Sequence, residues 1–333
     1  MNTLVTPKRG ANVLANVKIA IVGDFLMKRP VIASARRKGG RFEFHSLLRK
    51  VRPYLKSPDV TIGNLETTFS GYRGPGVKAS GYPTESVHPR TGYPRFNCPD
   101  ELASALKAAG FNVMVTANNH SMDGGASGLK RTLGVLNRHG LKHTGTYRTA
   151  QGAGAPLIVN AKGMKIGILS YTRGTNSIPV PQPWMVNKIG TAARISSMIR
   201  KLRAKTDFII VYLHFGTEFR TYPNKREKKL MNDLLYQGAN VVVGAHPHVL
   251  HPVHVVRSRD RDGRLLTRVT GSSLGNFVSK KLRGREDSIT GMILELTVSK
   301  NGRTDANVSK VRRIRTKVRR GSDGIYRVAR VSR

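Results

Sequence analysis

Five short runs of apolar, β-branched residues constrain this chain most, because all five end alike. They are "VKIAIVGD" (17–24), "DVTIGNLE" (59–66), "FNVMVTANNH" (111–120), "DFIIVYLHFG" (207–216) and "ANVVVGAHPH" (239–248). Each reads as a buried strand, and each closes on Gly, Asn, Asp, Glu or His. Helical segments lie among them. Residues 99–110 carry Pro99 for a first turn, acids just after it, and Gly110 as a stop. Residues 128–140 and 225–238 also end in glycine, and 192–205 form another. Strands alternating with helices predict an α/β fold. The 333 residues suffice for one large α/β domain or two smaller ones. No linker divides the chain cleanly, so residues 17–331 are expected as one domain behind an extension at 1–16.

In open α/β sheets, sites form outside the carboxyl ends of the strands. If the five strands share a sheet, one edge collects Asp24, then Asn64 and Glu66, then Asn118, Asn119 and His120, then His214, and finally His246 and His248. A single Gly-Asp after a strand usually just makes a turn. Five strands ending this way point to metal ligation or proton transfer. Pro247 fixes its own φ and pushes His246 away from the helical region. The segment is therefore expected to be extended, with His246 and His248 presented on the same side. His251 has the wrong parity for that pair, and His254 begins what looks like another strand, so neither is expected at a metal.

The last quarter reads differently. Asn301-Gly302 lies between two strand-like runs, a hairpin signal. "GSDG" (321–324) makes a further turn before "IYRVARV". A basic β-meander over about 290–331 is expected, with Lys and Arg on its solvent face. Residues 70–98, rich in Gly, Pro and Tyr, read as a long surface loop.

Charge and cysteine content limit the chemistry. Cys98 is the only cysteine, so an intramolecular disulfide and thiolate metal clusters are excluded. Any metal must sit on His, Asp, Glu or Asn, a set that suits Zn, Mn, Fe or Mg. The 58 Lys and Arg against 19 Asp and Glu give a net charge of +39. Such a surface suits a polyanionic partner, whether nucleic acid, an acidic polymer or anionic lipid, and does not choose among them. No apolar run approaches the roughly 18 to 20 residues of a transmembrane helix. The N-terminus shows no secretory pattern. A cytoplasmic location is expected, with peripheral association with an anionic membrane as the variant the charge allows.

These residues carry a family resemblance. The stretches "IVGDFLM", "GNLETTFSG", "RFNCPDELASALKAAGFNVMVTANNHSMDGG", "HTGTY", "IGILSYT", "YLHFGTEF", "QGANVVVGAHPHVLHPV" and "SLGNF" run in order over roughly residues 17 to 300. The chain resembles the CapA and PgsA-type capsule (poly-γ-glutamate) synthesis proteins of the calcineurin-like metallophosphoesterase superfamily. That resemblance implies a four-layer α/β/β/α sandwich with a centre for two divalent metal ions at the strand ends. It implies Asp24, Glu66, Asn119, His214, His246 and His248 as metal ligands, with Glu66 as the carboxylate that bridges. It implies His120 as the histidine that assists a leaving group. Asp123 and Glu218 are candidates to orient the ligand rings, Asn64 and Asn118 to support them, and Asn276 to line a substrate cleft or to form a turn.

Two departures from the superfamily matter. Leu26 stands where D-x-H would place an imidazole, and Gly63-Asn64-Leu65-Glu66 stands for G-D-x-x-D. Three functions follow as alternatives. The first is a metal-dependent hydrolase acting on a phosphoester or related bond of an anionic, phosphorylated substrate. The second is an accessory factor binding poly-γ-glutamate during polymer synthesis or export. The third is nonspecific nucleic-acid binding through the basic surface, for which no recognition motif is seen.

Overall fold

The computed structural model describes residues 13–301 and 305–331. Among them, sixteen strands run as follows: β1 (Val13–Phe25), β2 (Val60–Asn64), β3 (Ser86–Val87), β4 (Pro94–Arg95), β5 (Val113–Val115), β6 (Lys142–Thr144), β7 (Leu157–Ala161), β8 (Met164–Thr172), β9 (Phe208–His214), β10 (Val241–Ala245), β11 (Val253–Arg259), β12 (Leu265–Gly271), β13 (Asn276–Val278), β14 (Thr290–Asn301), β15 (Asn307–Arg320) and β16 (Tyr326–Arg330). An eight-stranded sheet takes the order β16-β15-β14-β1-β2-β5-β6, with β13 also paired to β1. A six-stranded sheet takes the order β11-β12-β10-β9-β8-β7.

Alternation along the strands builds the layers. On β1, Ile19 and Ile21 face one way and pack with Ile62, Val113, Ile210, Tyr212 and Val243, which joins the two sheets face to face. Ala20 and Val22 face the other way, onto the helices Glu101–Ala109 and Gly125–Arg138. On the second sheet, Leu169, Val211 and Val242 pack outward onto the helices Ala192–Arg203 and Lys225–Tyr236. The result is the expected α/β/β/α sandwich. Strands covered on both faces must be apolar at every position, which is why β9 and β10 read as unbroken hydrophobic runs. Each such side chain contributes about 1.5–3 kcal/mol on burial.

Two local expectations change. β1 starts at Val13, inside the stretch 1–16 expected as an extension, and pairs with β14 from Val13 opposite Asn301; residues 1–12 lie outside the described residues. β14, β15 and β16 form an antiparallel meander. Its second turn closes through the Gly321 N–H donating to the Ile325 carbonyl, while Gly302 of the first turn lies outside the described residues. The stretch 70–98 is not a bare loop, for it holds the β3–β4 ladder and ends in buried Phe96, Asn97 and Cys98. No helix among the described residues is long and apolar enough to cross a membrane, which says nothing of a β-barrel.

Candidate metal centre

β1 and β2 run parallel, with Asp24 opposite Asn64. β9 and β10 run parallel with Ala245 opposite His214. The carboxyl ends of both sheets therefore open on one side, and the polar strand ends meet there. Asp24 and Glu66 are fully buried, and His214 and His248 are almost so. Two groups of ligand atoms lie within 4.8 Å of one another: Glu66, His214 and His246, and Asp24, Glu66 and His248. Glu66 belongs to both.

Hydrogen bonds set most of these side chains. The Asn64 amide donates to Asp24 Oδ1 at 2.6 Å and lies 3.1 Å from His214 Nδ1. Its oxygen accepts from Asn118, which also donates to the Leu65 carbonyl. Asn119 Oδ1 is 2.8 Å from His214 Nε2. Asn276 Oδ1 is 3.0 Å from His248 Nδ1, and its amide donates to the Ser288 carbonyl. Asn276 is fully buried against His248, and β13 pairing to β1 places it opposite Asp24.

Glu66 is the exception. Both of its oxygens are buried without a hydrogen-bond donor. His214 Nε2 stands 3.5 Å away and His120 Nε2 4.0 Å away. Burial, reinforced by the charge of Asp24, pushes the Glu66 carboxyl well above its usual range. Burial pushes Asp24 upward too, but the His248 hydrogen bond and the His214 and His248 charges outweigh it and bring Asp24 to about 2. Burial holds His214 well below its ordinary value and His246 at about 4, so both imidazoles are neutral near pH 7. Neutral imidazoles and an unsatisfied carboxylate are the state in which these groups bind a cation. A buried carboxylate with no donor costs several kcal/mol unless a positive charge compensates it. The donor set thus fits divalent metal.

The His246-Pro247-His248 unit corrects the expectation of an extended segment. His246 has φ +103 and His248 φ +60. Non-glycine residues rarely occupy this region, at a cost of about 1–3 kcal/mol each. Tertiary contacts hold the turn: the His246 N–H donates to Asp24 Oδ2 at 3.2 Å, and the Pro247 carbonyl accepts from Phe219, itself at φ +63. The imidazoles still converge, 6.0 Å apart, but each joins a different ligand group.

His120 Nδ1 is 2.7 Å from Asp123 Oδ2, which also accepts from the Phe96 N–H. The ring packs on Phe96, 4.2 Å between centroids. Its Nε2 side faces a cleft of about 520 Å³ that His248, Glu218, Phe219 and Leu26 also line. Glu218 is a wall of that cleft. Leu26 is buried with Phe96 and Leu282, so position 26 offers no ligand to the cluster. His251 spends both ring nitrogens on Ser272 and the Arg220 carbonyl, and His254 is exposed on β11. Asn176 escaped sequence reasoning. Its oxygen accepts from Asn119 at 3.1 Å and its amide is 3.5 Å from His120 Nε2. The only signal was its place just beyond the end of β8.

Fold and cluster define a metallophosphoesterase-type sandwich with a buried His/Asp/Glu site. Residues 18–281 match the family described as bacterial capsule synthesis protein PGA_cap, and the chain belongs to that family. The capsule biosynthesis protein CapA of Bacillus anthracis is 27% identical over 270 residues, covering 78% of this chain and 59% of the relative. The PGA biosynthesis protein CapA of Bacillus subtilis (strain 168) is 28% identical over 267 residues, covering 78% and 62%. The chain thus spans about six tenths of these relatives' length. A solved Staphylococcus aureus protein, assigned as a 5'-nucleotidase and in complex with alpha-ketoglutarate, superposes with a TM-score of 0.53 over 90% of this chain and 54% of that one. At 13% identity that likeness shows the fold alone.

Proposed function

We propose that the chain is a metal-dependent hydrolase acting on a phosphoester or related bond of an anionic substrate. The observation that carries this is Glu66, a donorless buried carboxylate shared by two ligand groups, directly beneath a cleft that also presents His120. Asp24, Glu66, His214, His246 and His248 would hold the cations, with Asn119 beside them. Divalent ions there supply Lewis-acid neutralisation of charge developing on an oxyanion. The chain's own residues do the rest. Asp123 fixes His120 with a proton on Nδ1 and stabilises its cationic form. His120 Nε2 then serves as the proton donor toward a leaving oxygen in the cleft. Asn64, Asn118 and Asn276 keep Asp24, His214 and His248 in place.

The test is bound metal in the purified protein, then hydrolysis of p-nitrophenyl phosphate and its diester with added Mn. Wild type is expected to retain metal and turn over at least one of them, and His246→Ala to lose both properties. If His246→Ala matches wild type in metal content and rate, the proposal fails. Leu26, standing where the superfamily places an imidazole, favours a second role: a polymer-binding accessory factor in capsule or poly-γ-glutamate synthesis, the process in the relatives' names. Metal retention without hydrolysis, together with retention on poly-γ-glutamate, would select it.

A further inference from the structure

The cationic residues are not spread evenly. Lys280, Lys281 and Arg283 line the cleft over the ligand cluster. A second concavity, of about 400 Å³, lies at the edge strand β16 and is lined by Lys50, Lys317, Arg319, Arg327 and Arg330. Alternation puts Lys317 and Arg319 on one face of β15, opposite Ala329 and Arg327 of β16. Among the described residues, acids pair with this basin at two points. Asp323 pairs with Arg327, and Glu286 takes Lys317 at 3.0 Å. Glu286 also pairs with Lys281 of the cleft. One exposed carboxylate therefore joins the two basins. Among the described residues, Lys50, Arg319, Lys280 and Arg283 have no ion-pair partner.

We propose that the two basins and their Glu286 junction form one track that binds a flexible linear polyanion, a chain of repeated carboxylate or phosphate groups, and leads it to the cleft. Lys317 and Arg319 stand about 7 Å apart along their strand, so successive anionic groups meet successive cations. Lys281 and Lys317 exchange Glu286 for the ligand. None of the exposed large apolar side chains lies in the β16 basin. Tyr54 is covered by the Arg330 guanidinium, and Tyr326 of β16 packs on the core. Of the exposed aromatics among the described residues, only Tyr93 lines the track, in the cleft; successive bases have no run of platforms, which favours a chain without bases over a nucleic acid. The track rests on the hydrolase proposal only for what happens once the chain end reaches the cleft; binding does not depend on it.

The test compares binding of long polyphosphate, poly-L-glutamate, tripolyphosphate and duplex DNA to the full chain across salt. The double variant K317E/R319E is expected to weaken both long flexible chains about tenfold. Its log–log salt slope is expected to be shallower by about 1.4, at about 0.7 per contact for a single-stranded polyanion. The advantage of long polyphosphate over tripolyphosphate should shrink with it. Glu286→Gln should tighten both long chains by freeing two lysines. A stronger loss with one of the two chains identifies the anion as phosphate or carboxylate. The control K225E/K228E, on the helix Lys225–Tyr236, should change little. Equal losses in control and track variants, or duplex DNA bound as tightly with the same losses, would overturn the track. The K317E/R319E comparison reads binding without turnover, so a failure of hydrolysis alone leaves the track standing.

Discussion

At the scale of single residues, Glu66 and Asp123 carry opposite burdens. Glu66 is a buried carboxyl with no hydrogen-bond donor, and burial pushes it to hold a proton unless a cation takes that place. Glu66→Gln removes the ionisable group and keeps the volume. Removing a carboxyl that must take up a proton on folding is expected to stabilise the metal-free protein by about 1–3 kcal/mol. The same substitution is expected to abolish the rise in Tm that Mn gives to wild type. Melting curves in chelator and in Mn check both, and a destabilised metal-free Glu66→Gln protein would show that Glu66 is already satisfied. Asp123 is the converse case, a buried carboxylate held 2.7 Å from His120 Nδ1, where it orients the ring. Asp123→Asn keeps the shape and loses the charge. The expected outcome is a fall in kcat of about 100-fold or more, with metal content and KM near wild type. A parallel loss of metal would make Asp123 a scaffold residue instead.

At the scale of elements, strand ends were legible and the turns between them were not. β1, β2, β9 and β10 announce themselves because burial on both faces forces apolar runs, and a polar residue ends each run at the sheet margin. That places Asp24 beside Glu66 and His214 beside His246, but the strands belong to two sheets rather than the one shared sheet expected, and only the face-to-face packing of the sheets joins the two pairs. The left-handed backbone of His246 and His248 was illegible, because Asp24 and Phe219, remote in sequence, hold it against local preference. The place of Asn276 was left open for a similar reason: its contact with His248 follows from β13 pairing to β1 across the whole chain. That pairing depends on Gly23, where a Cβ would stand 1.8 Å from the Gly275 carbonyl oxygen. The obstacle is backbone, so Gly23→Ala is expected to cost about 3 kcal/mol, the upper end for overpacking. It should also displace Asn276 from His248 and weaken metal retention; an unchanged Tm would mean the two segments part easily. On β6, burial and then Arg148 hold His143 at about 4, below its ordinary 6.5. Above pH 6.5 it is neutral whether folded or unfolded and costs nothing. As pH falls from 6.5 toward 4 the unfolded chain takes up the proton first, so stability is lost, on the order of 1–3 kcal/mol. His143→Gln should flatten that loss in urea melts at pH 7 and pH 4.5, and an unchanged pH slope would assign the loss to other groups.

At the scale of the whole molecule, the excess of cations is too large for pairing to absorb. With 58 basic and 19 acidic residues, most Lys and Arg must go without an acidic partner. Such a chain gains burial energy from three hydrophobic layers but works against its own surface field. The field is long-ranged at low ionic strength, where the Debye length is about 30 Å at 0.01 M, and is cut to about 8 Å at 0.15 M. Compaction should therefore become easier with salt, the reverse of a protein stabilised by surface ion pairs. Tm is expected to rise with NaCl over this range, by about 2–4 °C for each kcal/mol of repulsion screened. The rise should be gradual, since screening has no saturation point. Pyrophosphate at matched ionic strength separates the general field from a bound anion: a bound anion gives an additional increment that saturates with ligand concentration. That increment should shrink in K317E/R319E, whereas the NaCl response should persist. A Tm that falls with NaCl would mean that the surface ion pairs outweigh the net charge, and that the excess cations lie too far apart in the fold to repel one another.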